Sequence, residues 1–273
     1  MPISFLGSVV QQLVSQHVDW ANVCFVLPNR RARLFLQKEI AESVQGPLIL
    51  PEMVSIDDFV ASISTLLPAT ELQQQQTLYQ SYRATITSKT PDSFETFLGW
   101  SSPLIKDLNT MDQYLLNRES FFSYLKSLHN IRSWGETQDK IVKNYTAFWE
   151  QLPQMYKEFT SRLEQTGYAT PGRCYRLATS LLENYLQHKN ITQFVFCGFN
   201  ALSPSEAQLV QELLSQERAQ IFWDIDKQML ENEYHQAGAF IRTYAKNWNV
   251  YAEKPFTQAH EAFQAPKNVR VIE

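Results

Sequence analysis

The sequence predicts an α/β fold, in which a parallel sheet with helices on both faces is interrupted by a large all-helical insertion. Short apolar runs that are each followed by a turn and a helical pattern indicate parallel strands joined by crossovers. These runs are Val23–Leu27, Leu48–Leu50, Phe194–Cys197 and Ala219–Trp223. From about Thr70 to Lys189 the apolar residues recur at helical spacing, which predicts the insertion.

Local sequence patterns predict individual strands and the starts of three helices. Phe194–Cys197 is apolar at every position, as expected of a strand that is buried on both faces. Val269–Ile272 is a possible fifth strand. Capping-box patterns begin at Ser55 and Thr70, and Pro204 occupies a favourable first helical position, so three helices are expected to start there.

The helical insertion contains its own predicted boundaries. Breaks are expected near Thr90-Pro91, Asn130–Trp134 and Gly167–Gly172. Pro103 and Pro153 fall inside helical patterns and should kink or divide them, because proline lacks a backbone N–H. We therefore expect a discontinuous α/β domain, residues 1–69 and 190–273, around a helical insertion at residues 70–189.

Composition limits the classes of function. The chain has 273 residues and a net charge of -4, so any contact with DNA must come from a local basic patch. The three cysteines lie far apart, and with no signal peptide they are expected to be reduced thiols in a cytoplasmic protein. No apolar run approaches 18 residues, so no membrane partner is expected.

The segment after the first predicted strand is the most informative. Val23–Leu27 ends at Pro28-Asn29, and the helical pattern that follows begins with Arg30, Arg31 and Arg33. In α/β sheets, ligands bind at the carboxyl ends of strands, and guanidinium groups there favour phosphate. The alternative is an ordinary solvated helix start that is capped by Asn29.

A second segment is a near-match to a phosphate-binding loop. Gly167–Cys174 has the spacing of G-x-x-x-x-G-K-[ST], but Arg173 and Cys174 replace the lysine and the hydroxyl that this chemistry needs. A long helical pattern precedes it where a strand is required. We interpret this segment as a connection between helices.

Metal and catalytic sites are weakly indicated. Asp224 and Asp226 follow a predicted strand two residues apart and are weak candidates for Mg²⁺ ligands. Carboxylates are also common at exposed strand ends, where Asp starts the next turn, and we favour that interpretation. Pro91-Asp92 is the only P-D pair, and no lysine has a carboxylate two residues before it, so a P-D…(D/E)-x-K nuclease site is absent. No catalytic residue is predicted.

Three segments together resemble one family. Val26–Ala32 resembles the V-x-P-x-x-R-A segment of AddB/RexB-type helicase–nuclease subunits, which corresponds to the DNA-contacting motif Ia of UvrD-like superfamily 1 helicases. Phe194–Glu206 resembles the segment that replaces Walker B there, and Gln220–Asp226 with His235–Arg242 resembles the next strand and helix. The pattern is most similar to Bacteroidetes-type PD-(D/E)XK nuclease proteins with an inactivated helicase-like N-terminal region.

This resemblance implies a P-loop-NTPase-like fold without motor chemistry. Cys197 and Gly198 occupy the positions of the Walker B carboxylates, and no Walker A loop precedes Val23. The chain is then expected to be the N-terminal, non-catalytic portion of a longer DNA-repair exonuclease subunit. It would guide single-stranded or unwinding DNA and dock an AddA-like helicase subunit, with phosphates at Asn29, Arg30, Arg31 and Arg33.

The resemblance also sets expectations for ligands. No cofactor or small-molecule substrate is expected for this chain, and Mg²⁺ would serve only a downstream nuclease domain. Two alternatives remain: an active ATP-dependent helicase core, or a scaffold that binds protein without DNA.

Overall fold

The computed structural model describes residues 3–44, 46–86, 90–132, 140–254, 256 and 259–261. The possible strand at Val269–Ile272 lies outside the described residues. The chain divides into two units. We call Met1–Phe59, Asn184–Leu202 and Glu206–Glu273 the sheet unit, and Val60–Glu183 with Ser203–Ser205 the helical unit.

The elements have the following bounds. The strands are β1 Val23–Leu27, β2 Glu52–Ser55, β3 Leu67–Pro68, β4 Tyr168–Ala169, β5 Gln193–Phe199 and β6 Ala219–Trp223. The helices are α1 Phe5–Ser15, α2 Ala32–Ser43, α3 Ile56–Ser64, α4 Glu71–Thr85, α5 Phe94–Gln113, α6 Arg118–Arg132, α7 Lys140–Gln165, α8 Pro171–Gln187, α9 Pro204–Ser215, α10 Lys227–Glu231, α11 Ala239–Asn247 and α12 Asn249–Glu253.

The sheet unit contains a four-stranded parallel sheet in the order β2-β1-β5-β6. Alternate side chains of β5 pack on opposite faces: Val195 and Cys197 join the core formed with α1 and α2, whereas Phe194 and Phe196 contact Phe59 of α3. The α/β class, the parallel pairing and the burial of β5 on both faces are therefore confirmed.

One predicted strand was misplaced. The strand beside β1 is Glu52–Ser55, paired in register from Cys24↔Glu52 to Leu27↔Ser55, and not Leu48–Leu50. Ile49 and Leu50 are exposed and lie before the paired segment. The prediction from the apolar run Leu48–Leu50 was wrong because pairing with β1, and not local hydrophobicity, determines where this edge strand begins.

The predicted helix starts are present. Thr70 forms both arms of a capping box with Gln73, the Ser55 hydroxyl accepts a hydrogen bond from the Asp58 N–H, and α9 begins at Pro204. The breaks near Thr90-Pro91 and Gly167–Gly172 are confirmed. An unpredicted break separates α5 from α6, where Leu115 has a φ of 55°.

One expectation for the helical unit was wrong. A short parallel pair, β3 with β4, lies within it, and two residues per strand are too few to give a periodic signal. Of the two effects expected at Pro103 and Pro153, division of the helix does not occur, because α5 and α7 continue through these residues. Proline removes one helical hydrogen bond, but buried residues on both sides, such as Leu152 and Tyr156 around Pro153, hold the helix in place. Among the described helices, none is both long and apolar enough to cross a membrane.

Candidate functional site

The turn between β1 and α2 is organised by Asn29. Its Oδ1 atom accepts hydrogen bonds from the backbone N–H groups of Arg31, at 3.0 Å, and Ala32, at 3.1 Å. The Asn29 side chain therefore satisfies two backbone N–H groups at the turn into α2, much as the alternative interpretation of this segment expected, although Arg31 directly precedes the helix. Because these two N–H groups are already satisfied, they are not available to an anion at this turn.

Arg30 is held by the neighbouring β2–α3 junction. Its Nε and Nη2 atoms donate to the two carboxylate oxygens of Asp58, at 3.0 and 2.5 Å. The Ser55 hydroxyl also donates to Asp58, at 2.7 Å. The hydrogen bond from Arg30 has the largest effect, and together with that from Ser55 it lowers the pKa of Asp58 to about 2. Arg30 thus reaches phosphate only in competition with a carboxylate.

Arg31 and Arg33 differ from Arg30 in that no carboxylate among the described residues holds them. Both side chains are exposed, and neither forms an ion pair with another residue in the described part of the chain. Arg31 also lines an open cleft of about 530 Å³ together with Pro28, Asn29, Arg30, Ser55 and Asp57. The cleft lies at the carboxyl ends of β1 and β2, which is the edge of a parallel sheet where ligands bind.

The end of β5 lies beside the end of β1. An added Cβ at Gly198, whose φ is +81°, would be 3.7 Å from Pro28 Cγ. Cys197 is fully buried in the core, and burial raises the pKa of its thiol to about 12. A buried thiol and a glycine supply no carboxylate for Mg²⁺ at these two positions.

Asp224 and Asp226 have separate structural roles. Asp224 is exposed and its Oδ1 lies 2.8 Å from His260 Nε2. Asp226 is buried and caps α10 by accepting from the Gln228 N–H, at 2.9 Å. Among the described residues, no group of three or more His, Cys, Asp or Glu side chains is arranged to hold a metal ion.

The groups of the Gly167–Cys174 segment that could bind a phosphate are engaged by other parts of the protein. Gly172 donates its N–H to Asn109 Oδ1, and a Cβ at this position would lie 2.1 Å from the Asn109 carbonyl oxygen. Arg173 pairs with Glu164 at 2.7 Å, and Cys174 is buried. The short strand β4 precedes α8, but Asn109 of α5 packs against Gly172 and accepts the N–H that a phosphate-binding loop would offer to its ligand.

Comparison with protein families and with curated proteins gives no match. No protein-family model matches the chain, and no curated protein is significantly similar to it.

Proposed function

We propose that this chain is a non-catalytic, helicase-like region that guides single-stranded DNA in a double-strand-break-processing nuclease of the AddB type. The observation that carries the proposal is the pair of exposed arginines after the carboxyl end of β1, Arg31 and Arg33, neither of which has an ion pair among the described residues. Guanidinium groups on a rigid helix start suit the phosphates of a nucleic acid strand.

The relative placement of the resembling segments supports the same proposal. Val26–Ala32 and Phe194–Glu206 lie far apart in the sequence, yet β1 and β5 are adjacent and their ends meet at Pro28 and Gly198. A helicase-like P-loop fold would bring a motif Ia and a Walker B position together in this way. The burial of Cys197 supports the loss of ATP chemistry at that position.

A protein-docking role is the second candidate. Ile49 is 73% exposed and Leu50 is 53% exposed, in the segment that leads into the edge strand β2. Exposed apolar side chains beside a sheet edge are suited to contact with another protein. An AddA-like motor subunit is the partner that the resemblance implies, and docking it is compatible with guiding DNA at Arg31.

Binding of a fluorescently labelled 20-nucleotide thymidine strand, titrated by anisotropy at several salt concentrations, tests the proposal. Each neutralised phosphate contributes a log–log slope of about -0.7, so contacts from Arg31 and Arg33 predict a slope of about -1.4. Calorimetry with ATP and Mg²⁺ should show no binding. Undetectable DNA binding at low salt would favour the docking role, and micromolar ATP binding would favour an active helicase core.

A further inference from the structure

The first turns of α2 expose two large apolar side chains beside the arginines. Leu34 is 69% exposed and Phe35 is 66% exposed, whereas Leu36 and Ile40 of the same helix are fully buried. The ring of Phe35 is thus presented to solvent on a helix whose other side is fixed in the core. Exposed apolar side chains on a rigid element are typical of contact surfaces.

Helical spacing places this ring near a cation. Arg31 has helical dihedral angles, with φ -70° and ψ -34°, so the spacing of α2 extends back to it. Arg31 and Phe35 are four residues apart, and side chains at that spacing lie on the same face with their Cβ atoms about 5–6 Å apart. The ring and the guanidinium group therefore share one surface at the carboxyl edge of the sheet.

We propose that Phe35 stacks on an unpaired base of the strand whose phosphates contact Arg31 and Arg33. The inference rests on the proposed function and adds a contact with the bases of the strand, which are accessible because they are unpaired, whereas paired bases in a duplex offer no free face. Sites for single strands combine cations that follow the backbone with aromatic side chains that stack on the bases. The guanidinium group of Arg31 on the same face, which has no ion pair among the described residues, favours a polyanion over a protein as the ligand of this ring.

An abasic strand separates stacking from phosphate contact. Affinity is measured for a 20-nucleotide thymidine strand and for an abasic strand of the same length, which keeps the phosphates and lacks the bases. Phe35→Ala should weaken binding of the thymidine strand about five- to tenfold and leave binding of the abasic strand unchanged. Phe35→Trp should retain the wild-type affinity, and Phe35→Leu, which keeps apolar area without a ring, should behave as Phe35→Ala.

Phe240→Ala is the matched control, because Phe240 is a half-exposed phenylalanine on helix α11 of the same unit. It should leave both affinities unchanged. If the wild-type chain binds the thymidine strand and Phe35→Ala binds it equally well, the stacking inference is wrong and Leu34 with Phe35 becomes a protein-contact surface. If neither strand binds the wild-type chain, the proposed function itself fails.

Discussion

Two strand-to-helix junctions carry arginines near the helix start and use them in opposite ways. At β1–α2, Arg31 and Arg33 are exposed without ion pairs in the described residues. At β4–α8, Arg173 pairs with Glu164, and Arg176 lies 2.7 Å from Asp112, a carboxylate with no exposed side-chain surface. The difference teaches that an arginine at a helix start indicates an anion site only where the surrounding fold supplies no carboxylate.

The buried carboxylate in the helical unit has three partners. Asp112 Oδ1 lies 3.2 Å from Arg118 Nη2 and 2.7 Å from Arg176 Nε, and Asp112 Oδ2 accepts from the Tyr156 hydroxyl at 2.5 Å. Burial, followed by the charge of Asp112, raises the pKa of Tyr156, so its hydroxyl stays protonated as a donor. Arg176 also donates to the carbonyls of Met111 and Leu116. This arrangement holds α5, α6, α7 and α8 together.

The largest expected effect comes from breaking this network. Asp112→Asn should lower the free energy of unfolding by about 3 kcal/mol, because it leaves two partly buried guanidinium groups without their counter-charge. Urea unfolding followed by tryptophan fluorescence measures the change. Asp107→Asn, at an exposed position of the same helix, should change stability by less than about 0.5 kcal/mol. A comparably small loss for Asp112→Asn would contradict the structural role given to this junction.

A smaller effect is expected at the other junction, where one arginine is held by a carboxylate. Asp58→Asn should release Arg30 and make the salt slope for a single strand steeper, from about -1.4 to about -2.1. Glu42→Gln is the control on α2, since it removes one negative charge without touching Arg30. An unchanged slope in Asp58→Asn would show that Arg30 does not reach the strand even when free.

The stability of the Asp58→Asn variant should depend on pH differently from that of the wild type. Because the pKa of Asp58 is lowered in the folded chain, ionisation of Asp58 stabilises the fold above its ordinary pKa of 3.8, and this contribution disappears as the pH falls from about 4 to about 2. Asp58→Asn should therefore reduce the acid sensitivity of stability in that window. Thermal unfolding across the window measures it.

The sequence predicts much of the sheet and only part of the site. Strand β1 and the Phe194–Cys197 part of β5 could be located because continuous burial leaves a local apolar signature. The hydrogen bonds of the Thr70 and Asn29 side chains reach backbone groups nearby in the chain. The Arg30–Asp58 pair spans 28 residues, so no local pattern shows it. The exposure of Phe35 was also missed, since an apolar residue in a helix is ordinarily assigned to the core.

The central claim is that the β1–α2 junction, and not overall charge, binds the strand. Single-strand affinity measured across salt concentrations for Arg31→Ala/Arg33→Ala, beside the control Arg83→Ala/Lys106→Ala, tests it most directly. The control removes two exposed positive charges from the helical unit. We predict a slope near zero for the first variant and about -1.4, as in the wild type, for the control. Equal slopes in the two variants would contradict the claim.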